Sequence, residues 1–253
     1  MADTATLLRE DGERIAYMTR PGKSPGIVWL GGFKSEMTAT KARALDAWAA
    51  GSGHAFVRFD YFGHGQSSGE FRQGTITRWR DDALAVLDRL TSGPQILVGS
   101  SMGGYLALLA ARLRPERVAG LLLVAPAADF TEALLWAGMP EDAKRQLEES
   151  GAWLRPSAYD LNPYPITRGL IEDGRRHLVL DKGPIALRCP VRILQGMQDP
   201  DVPWQHAFEL FRAIDGDVSL TLVRDGDHRL STPSDLARME RTLETLIAQS
   251  ALG

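Results

Sequence analysis

The sequence is poor in the features that mark an exported or disulfide-bonded protein. Its 253 residues include one cysteine, Cys189, so no internal disulfide can form, and this favours a reducing compartment. An export signal requires an uninterrupted apolar stretch, whereas charged residues are scattered through positions 1–20. These two absences predict a cytoplasmic protein.

The sequence also lacks an excess of charge of one sign. Its 29 basic and 32 acidic residues leave a net charge of −3 at pH 7, which provides no field to gather nucleic acid. A mean hydropathy of −0.17 excludes an integral membrane protein and predicts no stable membrane insertion. Small-molecule chemistry is therefore expected, and the sequence leaves the oligomeric state open.

Motifs for metals and nucleotides are missing as well. The chain has no His-Glu-x-x-His pattern and no cysteine pair, so residue spacing predicts no metal site. The loop Gly63-His64-Gly65 lacks a P-loop lysine and does not open a helix, which argues against a phosphate cradle. We therefore expect no cofactor.

What the sequence does contain is a regular alternation of short apolar runs and longer helical patterns. The runs that predict strands are 7–9, 14–19, 27–30, 55–60, 95–98, 118–124, 191–194 and 218–223, and the helical patterns are 36–50, 75–90, 102–113, 205–213 and 235–248. The run 118–124 is apolar throughout, as in a central strand covered on both faces. The alternation predicts an α/β fold with a mainly parallel eight-stranded sheet and helices on both faces.

One interval interrupts this alternation. The segment from Pro126 to Val191 is far longer than the roughly 2–6 residues of an ordinary connection in an α/β unit. It contains helical patterns near 129–137 and 141–149 and a proline- and aromatic-rich passage at 153–165. We interpret residues 127–190 as an inserted cap on a discontinuous core of residues 1–126 and 191–253, because long insertions of this kind usually cover ligand sites.

Two features of the cap have both an ordinary and a functional interpretation. The run Arg175-Arg176-His177 could bind an anionic group, although a solvated charged face is favoured. A set of apolar side chains could line an acyl pocket or simply pack the cap: Leu134, Leu135, Trp136, Met139, Trp153 and Leu154.

The strongest motif is Gly99-Ser100-Ser101-Met102-Gly103, a G-x-S-x-G pattern between a predicted strand and a predicted helix. A strand that runs directly into a helix forces a sharp turn at the central residue, and the flanking glycines remove side chains that would collide there. A bare glycine turn is the alternative. The context favours Ser101 as a nucleophile, and only this serine has glycines two positions away on both sides.

A nucleophilic serine requires a histidine base and an orienting carboxylate. Of the five histidines, His54 and His64 precede the serine, whereas this motif has the chain order Ser, acid, His. His177 lies in the predicted cap and His206 lies inside a helix. His228 follows the last strand and is the predicted base, with an ordinary exposed loop histidine as the alternative.

The acid should follow the strand at 191–194. Asp199 is nearer to this strand than Asp201 and precedes Pro200, which cannot continue a sheet ladder, so Asp199 is favoured and Asp201 remains the alternative. The oxyanion requires backbone donors, for which we predict the N–H groups of Phe33, after Gly31-Gly32, and of Met102. The alternative for the glycine pair is a turn that only starts the next helix.

Residues beyond the motif itself point to a known family. The passages 57–65, 93–104 and 202–204, together with Asp227-His228-Arg229, resemble the α/β-hydrolase superfamily and, within it, the mitochondrial palmitoyl-protein thioesterases that are also acyl-glucuronide esterases. The resemblance implies a Ser-Asp-His triad at Ser101, Asp199 and His228, and a small-molecule or acylated-protein substrate. The cap differs most from the family and no transit peptide precedes Met1, so we expect a bacterial relative.

Three functions are compatible with these residues. The favoured one is a serine hydrolase that cleaves acyl esters or thioesters through an acyl-enzyme. A C–C bond hydrolase or a cofactor-free haloperoxidase is the second, because one fold hosts several chemistries. A non-catalytic ligand receptor is the third, and the intact triad argues against it.

Overall fold

The computed structural model describes residues 4–156 and 163–250 of the chain. The strands are β1 (Ala5–Leu8), β2 (Arg14–Arg20), β3 (Lys23–Leu30), β4 (His54–Phe59), β5 (Gln95–Ser100), β6 (Val118–Val124), β7 (Ala152–Arg155), β8 (Tyr164–Thr167), β9 (Ile185–Ala186), β10 (Val191–Gly196), β11 (Ile214–Asp215) and β12 (Val218–Val223). Eight of them form one sheet in the order β1-β2-β4-β3-β5-β6-β10-β12. The pairs β1–β2 and β2–β4 are antiparallel and the others are parallel, which confirms the predicted mainly parallel sheet.

Helices cover both faces of this sheet. They are α1 (Thr40–Ser52), α2 (Ile76–Leu90), α3 (Met102–Leu113), α4 (Glu141–Ser150), α5 (Arg168–Gly174), α6 (Trp204–Ala213) and α7 (Pro233–Ser250), with 3₁₀ helices at Phe71–Gln73 and Pro115–Arg117 and a π-helix at Thr131–Trp136. Within the described residues, none of these helices combines the length and the apolar character of a transmembrane segment.

The core is divided into two layers by the sheet. Successive residues of β3 point to opposite faces, so Ile27 and Trp29 pack with α1 and α7, whereas Val28 and Leu30 pack with α2 and α3. Strand β6 is apolar along its length because it lies in the middle of the sheet and is covered on both faces.

The described part of the segment between β6 and β10 contributes no strand to the large sheet. It contains the π-helix, α4, the antiparallel pair β7–β8, α5 and the short strand β9, which pairs with β11. No strand was predicted in the proline- and aromatic-rich passage 153–165, where β7 and β8 lie, because alternation is weak in four-residue strands. Positions 157–162 of that passage lie outside the described residues. The division into core and cap stays a prediction.

One carboxylate ties the two ends of this segment together. Asp129, whose φ of +53° is unusual for a residue with a side chain, follows β6 by a few positions. Its two oxygens accept hydrogen bonds from the backbone N–H of Val179 at 3.0 Å, and one of them also accepts from Leu180 at 2.9 Å. The chain therefore returns close to its point of departure before it enters β10.

The predicted helix at 36–50 begins later than expected, at Thr40. The buried carboxylate of Asp60 accepts a hydrogen bond from the backbone N–H of Met37 at 2.6 Å, which holds that residue in a turn. The other helix predictions of the core are confirmed to within a few residues.

Candidate active site

The turn between β5 and α3 places Ser101 in a conformation that ordinary residues avoid. Its φ is +54° and its ψ is −121°. The serine N–H donates to the carbonyl of Val124 at 2.9 Å, and its own carbonyl accepts from the N–H groups of Gly104 at 2.9 Å and Ala127 at 3.1 Å. The backbone of the strained turn is therefore held by the neighbouring strand and by the start of α3.

Close approach of the chain around this turn explains the flanking glycines. A Cβ on Gly103 would overlap the carbonyl oxygen of Leu30, and a Cβ on Gly99 would overlap that of Gly103. We expect Gly103→Ala to lower the free energy of unfolding by about 1–3 kcal/mol, as overpacking does in cores. Urea denaturation checks this value.

Gly51 provides the matched control for this substitution. It lies inside α1, and a Cβ there would have no heavy atom within 4 Å. Gly51→Ala should therefore raise the free energy of unfolding by roughly 0.5–1 kcal/mol, since alanine is the better helix former. Equal effects of the two substitutions would contradict the steric account of the turn.

Asp199 lies in the loop that follows β10, and its carboxylate is fully enclosed. One oxygen accepts the backbone N–H groups of Asp201 at 2.9 Å and Val202 at 2.8 Å. The other accepts the side-chain amide of Gln195 at 3.1 Å and Nδ1 of His228 at 2.8 Å. Four donors thus orient this carboxylate toward the histidine and compensate for its burial.

His228 lies in the loop after β12 and is held against the Asp199 loop by backbone contacts. The N–H of Met197 donates to the carbonyl of Val223 at 2.9 Å, and the N–H of Gln198 donates to that of Gly226 at 2.9 Å. Because the carboxylate of Asp199 only accepts, Nδ1 of His228 is the donor of this bond, and in the neutral imidazole Nε2 is then the unprotonated nitrogen. This tautomer can accept a proton from a serine hydroxyl.

Ser101 and His228 share one cavity of about 490 Å³, within the usual size of small-molecule sites. The other lining residues are Trp29, Gly32, Phe33, Lys34, Ser35, Ala39, Thr40, Lys41, Ser100, Ala127, Phe130, Leu134, Leu135, Arg155, Tyr164, Asp201, Val202, Arg229 and Ser231. The lining combines apolar and aromatic side chains with more basic than acidic ones.

The loop after β3 approaches the serine closely. A Cβ on Gly32 would lie 3.4 Å from the Cβ of Ser101, and Phe33 lines the same cavity. Among residues 4–156 and 163–250, no backbone carbonyl accepts a hydrogen bond from the N–H of Phe33 or of Met102. Both N–H groups are thus unpaired with the backbone near the serine, as donors to an oxyanion must be.

The alternative candidates make other contacts. The ring nitrogens of the remaining histidines bond elsewhere: His54 to the carbonyl of Pro25, His64 to the N–H of Lys34, His177 to the hydroxyl of Thr77 and His206 to the carbonyl of Ala128. Asp201 donates its backbone N–H to Asp199 and lines the cavity. The acid that bonds His228 is Asp199.

A cation site can also be tested at this place. Asp199, Asp201 and His228 have potential ligand atoms within 4.8 Å of one another in the described part of the chain. The oxygens of Asp199, however, already accept four hydrogen bonds from protein groups. The geometry of this carboxylate is that of a hydrogen-bonded partner of histidine.

Comparisons with known proteins agree with this geometry. A family model described as serine aminopeptidase, S33, matches residues 27–168. The chain is 41% identical over 243 residues to palmitoyl-protein thioesterase ABHD10, mitochondrial, of Pongo abelii, which covers 95% of this chain and 79% of the relative. The chain belongs to the α/β-hydrolase family that includes these thioesterases.

Solved structures of similar proteins share the whole fold. A structure from Agrobacterium vitis S4 is 45% identical with a TM-score of 0.93 and covers 98% of this chain and 99% of its own. Alpha/beta hydrolase domain-containing protein 10 from mouse is 38% identical with a TM-score of 0.90, at coverages of 98% and 99%. The α/β-hydrolase fold predicted from the sequence is confirmed.

The predicted cytoplasmic location is wrong, because the 41% identical relative is named as a mitochondrial protein. The prediction rested on the single Cys189 and on charged residues near the start of the chain. A low cysteine content indicates a reducing environment and does not distinguish one reducing compartment from another.

Two residues that support the site of this α/β hydrolase were missed by sequence reasoning. Gln195 is fully buried in β10 and donates to Asp199. The ammonium group of Lys41, in α1, donates a hydrogen bond to the carbonyl of Arg229, next to the predicted base. Burial lowers the pKa of Lys41 to about 8, and the charge of Asp227 opposes this shift. Neither residue belongs to a motif, so no local signal could have found it.

Proposed function

We propose that the protein hydrolyses acyl esters and acyl thioesters, with Ser101 as nucleophile, His228 as base and Asp199 as orienting acid. The observation that carries the assignment is the 2.8 Å bond between Nδ1 of His228 and Asp199, at a histidine that lines the same cavity as the strained serine. Family membership identifies the chain as a hydrolase of ester or thioester bonds. The roles of the individual residues are our proposal.

In this mechanism His228 takes the proton of the Ser101 hydroxyl as its oxygen attacks the acyl carbonyl. The imidazolium that forms is stabilised by the ionised Asp199 and then gives its proton to the leaving alcohol or thiol. Water, activated by the same histidine, attacks the acyl-enzyme and releases the carboxylic acid and the free serine.

The negative charge that develops on the carbonyl oxygen needs donors fixed in advance. We assign this role to the backbone N–H groups of Phe33 and Met102. Their support is that both lie beside Ser101 and that neither is paired with a backbone carbonyl within the described residues. Met102 also begins α3, whose positive dipole end favours an anion.

We propose acyl chains of medium to long length as the substrates, and the apolar side chains of the cavity lining support this. The π-helix supplies Leu134 and Leu135 to its wall, and Phe130 and Phe33 extend the apolar surface toward the serine. Burial of an acyl chain there would contribute about 0.8 kcal/mol per methylene. The name palmitoyl-protein thioesterase of the relative supports a long acyl thioester, including an acylated protein.

A substitution in the cavity wall tests this assignment. Leu134→Trp should reduce kcat/KM for a sixteen-carbon acyl thioester relative to a four-carbon one by at least about tenfold, because exclusion of two methylenes already costs that much. The ratio of the two substrates is measured for each variant. Leu113→Trp, at an exposed position of α3, should leave the ratio unchanged.

The same assays distinguish this function from the others that the fold hosts. A panel of acyl thioesters, aryl esters and acyl glucuronides, together with a fluorophosphonate probe, would be run on the wild type. Labelling without turnover of any panel member would favour a C–C bond hydrolase. Absence of both labelling and turnover would favour a ligand receptor and would contradict the proposal.

A further inference from the structure

The glycine-rich loop after β4 carries a histidine that the proposed reaction does not use. His64 is 4% exposed and is surrounded by ring edges of Tyr61 at 5.7 Å, Phe71 at 5.2 Å and Trp79 at 5.4 Å between centroids. A histidine buried in an aromatic cluster needs partners for its two nitrogens. Both partners are backbone groups.

The two hydrogen bonds of His64 are compatible with only one protonation state. Nδ1 lies 3.1 Å from the carbonyl of Phe62, so this nitrogen donates, and Nε2 lies 3.1 Å from the N–H of Lys34, so this nitrogen accepts. Burial lowers the pKa of His64 to about 4, the Phe62 bond opposes this shift and the charge of Lys34 adds to it. The ring is therefore neutral in neutral solution, with a fixed tautomer.

The residue that His64 holds is itself in a strained conformation. Lys34 has a φ of +58°, which residues with a side chain rarely adopt, and it directly follows Phe33. Its side chain lies over the rings of Phe71 and Tyr164. Because one peptide unit joins Phe33 to Lys34, the bond at the N–H of Lys34 fixes the plane of that unit.

The side chain of Phe33 provides a second point of attachment for the same loop. Its ring packs edge to face with Phe71, Trp79, Phe130 and Tyr164 at centroid distances of 4.9, 5.6, 5.7 and 5.6 Å. Two of these rings, Phe71 and Trp79, also contact His64. The loop after β3 is thus held at two points: the aromatic rings pack against the side chain of Phe33, and the imidazole of His64 bonds the backbone of Lys34.

We propose that His64 is a positioning residue that aims the N–H of Phe33 at the oxyanion by accepting the hydrogen bond of the Lys34 N–H. This inference rests on the proposed function, in which Phe33 and Met102 are the oxyanion donors. Loss of the acceptor at Nε2 releases the peptide unit between Phe33 and Lys34. The backbone of Phe33 can then rotate, and its own N–H, which belongs to the preceding peptide unit, is no longer held toward the developing charge. Such a defect reduces the stabilisation of the transition state and leaves substrate binding nearly unchanged.

Three substitutions separate this role from ordinary packing. Glutamine can place Oε1 where Nε2 lies and so accept from Lys34, asparagine is too short to reach it but can still donate to Phe62, and leucine does neither. We expect His64→Asn and His64→Leu to lower kcat for a short aryl ester by about 10–100-fold with KM within roughly threefold, the size of effect that small misplacement produces. His64→Gln should recover most of kcat.

Affinity for a trifluoromethyl ketone, which forms an oxyanion with the serine, should fall in parallel with kcat in the Asn and Leu variants. Tyr61→Phe is the control, since it alters the same cluster without touching Lys34 and its hydroxyl has no partner in the described part of the molecule. It should keep kcat. Thermal unfolding of every variant shows whether it is folded. If the leucine variant does not fold, the comparison of kcat between His64→Asn and His64→Gln still tests the role of the acceptor.

Folded Asn and Leu variants with the kcat of the wild type would overturn the inference. A glutamine variant as impaired as the asparagine one, or a loss confined to KM, would overturn it as well. Failure of the proposed function gives a different result, because the wild type itself would then turn over no member of the substrate panel. The two failures are therefore distinguishable in one series of assays.

Discussion

Ser101→Ala is expected to lower kcat for acyl ester hydrolysis by about 10⁶-fold, the loss seen when a triad nucleophile is removed. Alanine has no hydroxyl to form the acyl-enzyme, so only binding and the oxyanion donors remain to act on the substrate. The turn itself should persist, because its backbone bonds to Val124, Gly104 and Ala127 do not involve the side chain. Steady-state kinetics and mass detection of a fluorophosphonate adduct on the intact protein provide the measurement.

Ser100 is the matched control for this substitution. It precedes Ser101 directly and lines the same cavity, but it lies in β5 and lacks the positive φ of its neighbour. Although Ser100 is buried, the proposed reaction does not use its hydroxyl, so Ser100→Ala should stay within about tenfold of the wild type and should still be labelled. Labelling of Ser101→Ala to the wild-type extent would show that another residue is the nucleophile.

Asp199→Asn is expected to lower kcat by about 10⁴-fold while the protein remains folded, as in triads where the acid becomes an amide. Asparagine can still accept the N–H groups of Asp201 and Val202 through its remaining oxygen. Its NH₂ then faces Nδ1 of His228, which can only pair by giving up its proton. The proton moves to Nε2, and the histidine can no longer act as the base. The pH dependence of kcat and thermal unfolding are measured together.

Asp201→Asn separates the two neighbouring carboxylates. The backbone of Asp201, rather than its side chain, supports Asp199, and this contact survives the substitution. We expect a loss of less than about tenfold, because Nδ1 of His228 is bonded to Asp199 and a neighbouring charge acts on the imidazole through a partly screened interaction. If Asp201→Asn lowered kcat as much as Asp199→Asn, the assignment of the orienting role to Asp199 would be contradicted.

Much of this arrangement follows from sequence patterns because the chemistry is concentrated at the ends of strands. Strand β6 and helix α3 have the predicted bounds, and Ser101, Asp199 and His228 each follow a predicted strand of one sheet. Parallel strands bring such loops to the same edge, so order along the chain was enough to select the candidates. The assignments themselves await the kinetic tests.

The parts that sequence reasoning missed depend on contacts between distant segments. Gln195 looks like an ordinary strand residue until Asp199 is seen next to its amide. His64 precedes Ser101 in the chain and its loop fits no phosphate motif, so sequence reasoning predicts no role for it. Its bond to Lys34 joins two loops separated by a whole helix and strand. No local pattern encodes the left-handed conformation of Lys34, since only the assembled loops determine it.

The direct pairing of β6 with β10 makes the register of the large sheet independent of the chain that runs between these two strands. Residues 191–194 of β10 lie in register with residues 121–124 of β6, so the sheet closes without help from the chain between them, and Asp129 brings that chain back to its starting point. An exchange of the intervening segment between relatives would therefore leave the sheet register intact. We therefore expect recombination at these two junctions to alter the cavity lining that Leu134 and Leu135 provide, while β6 and β10 stay paired.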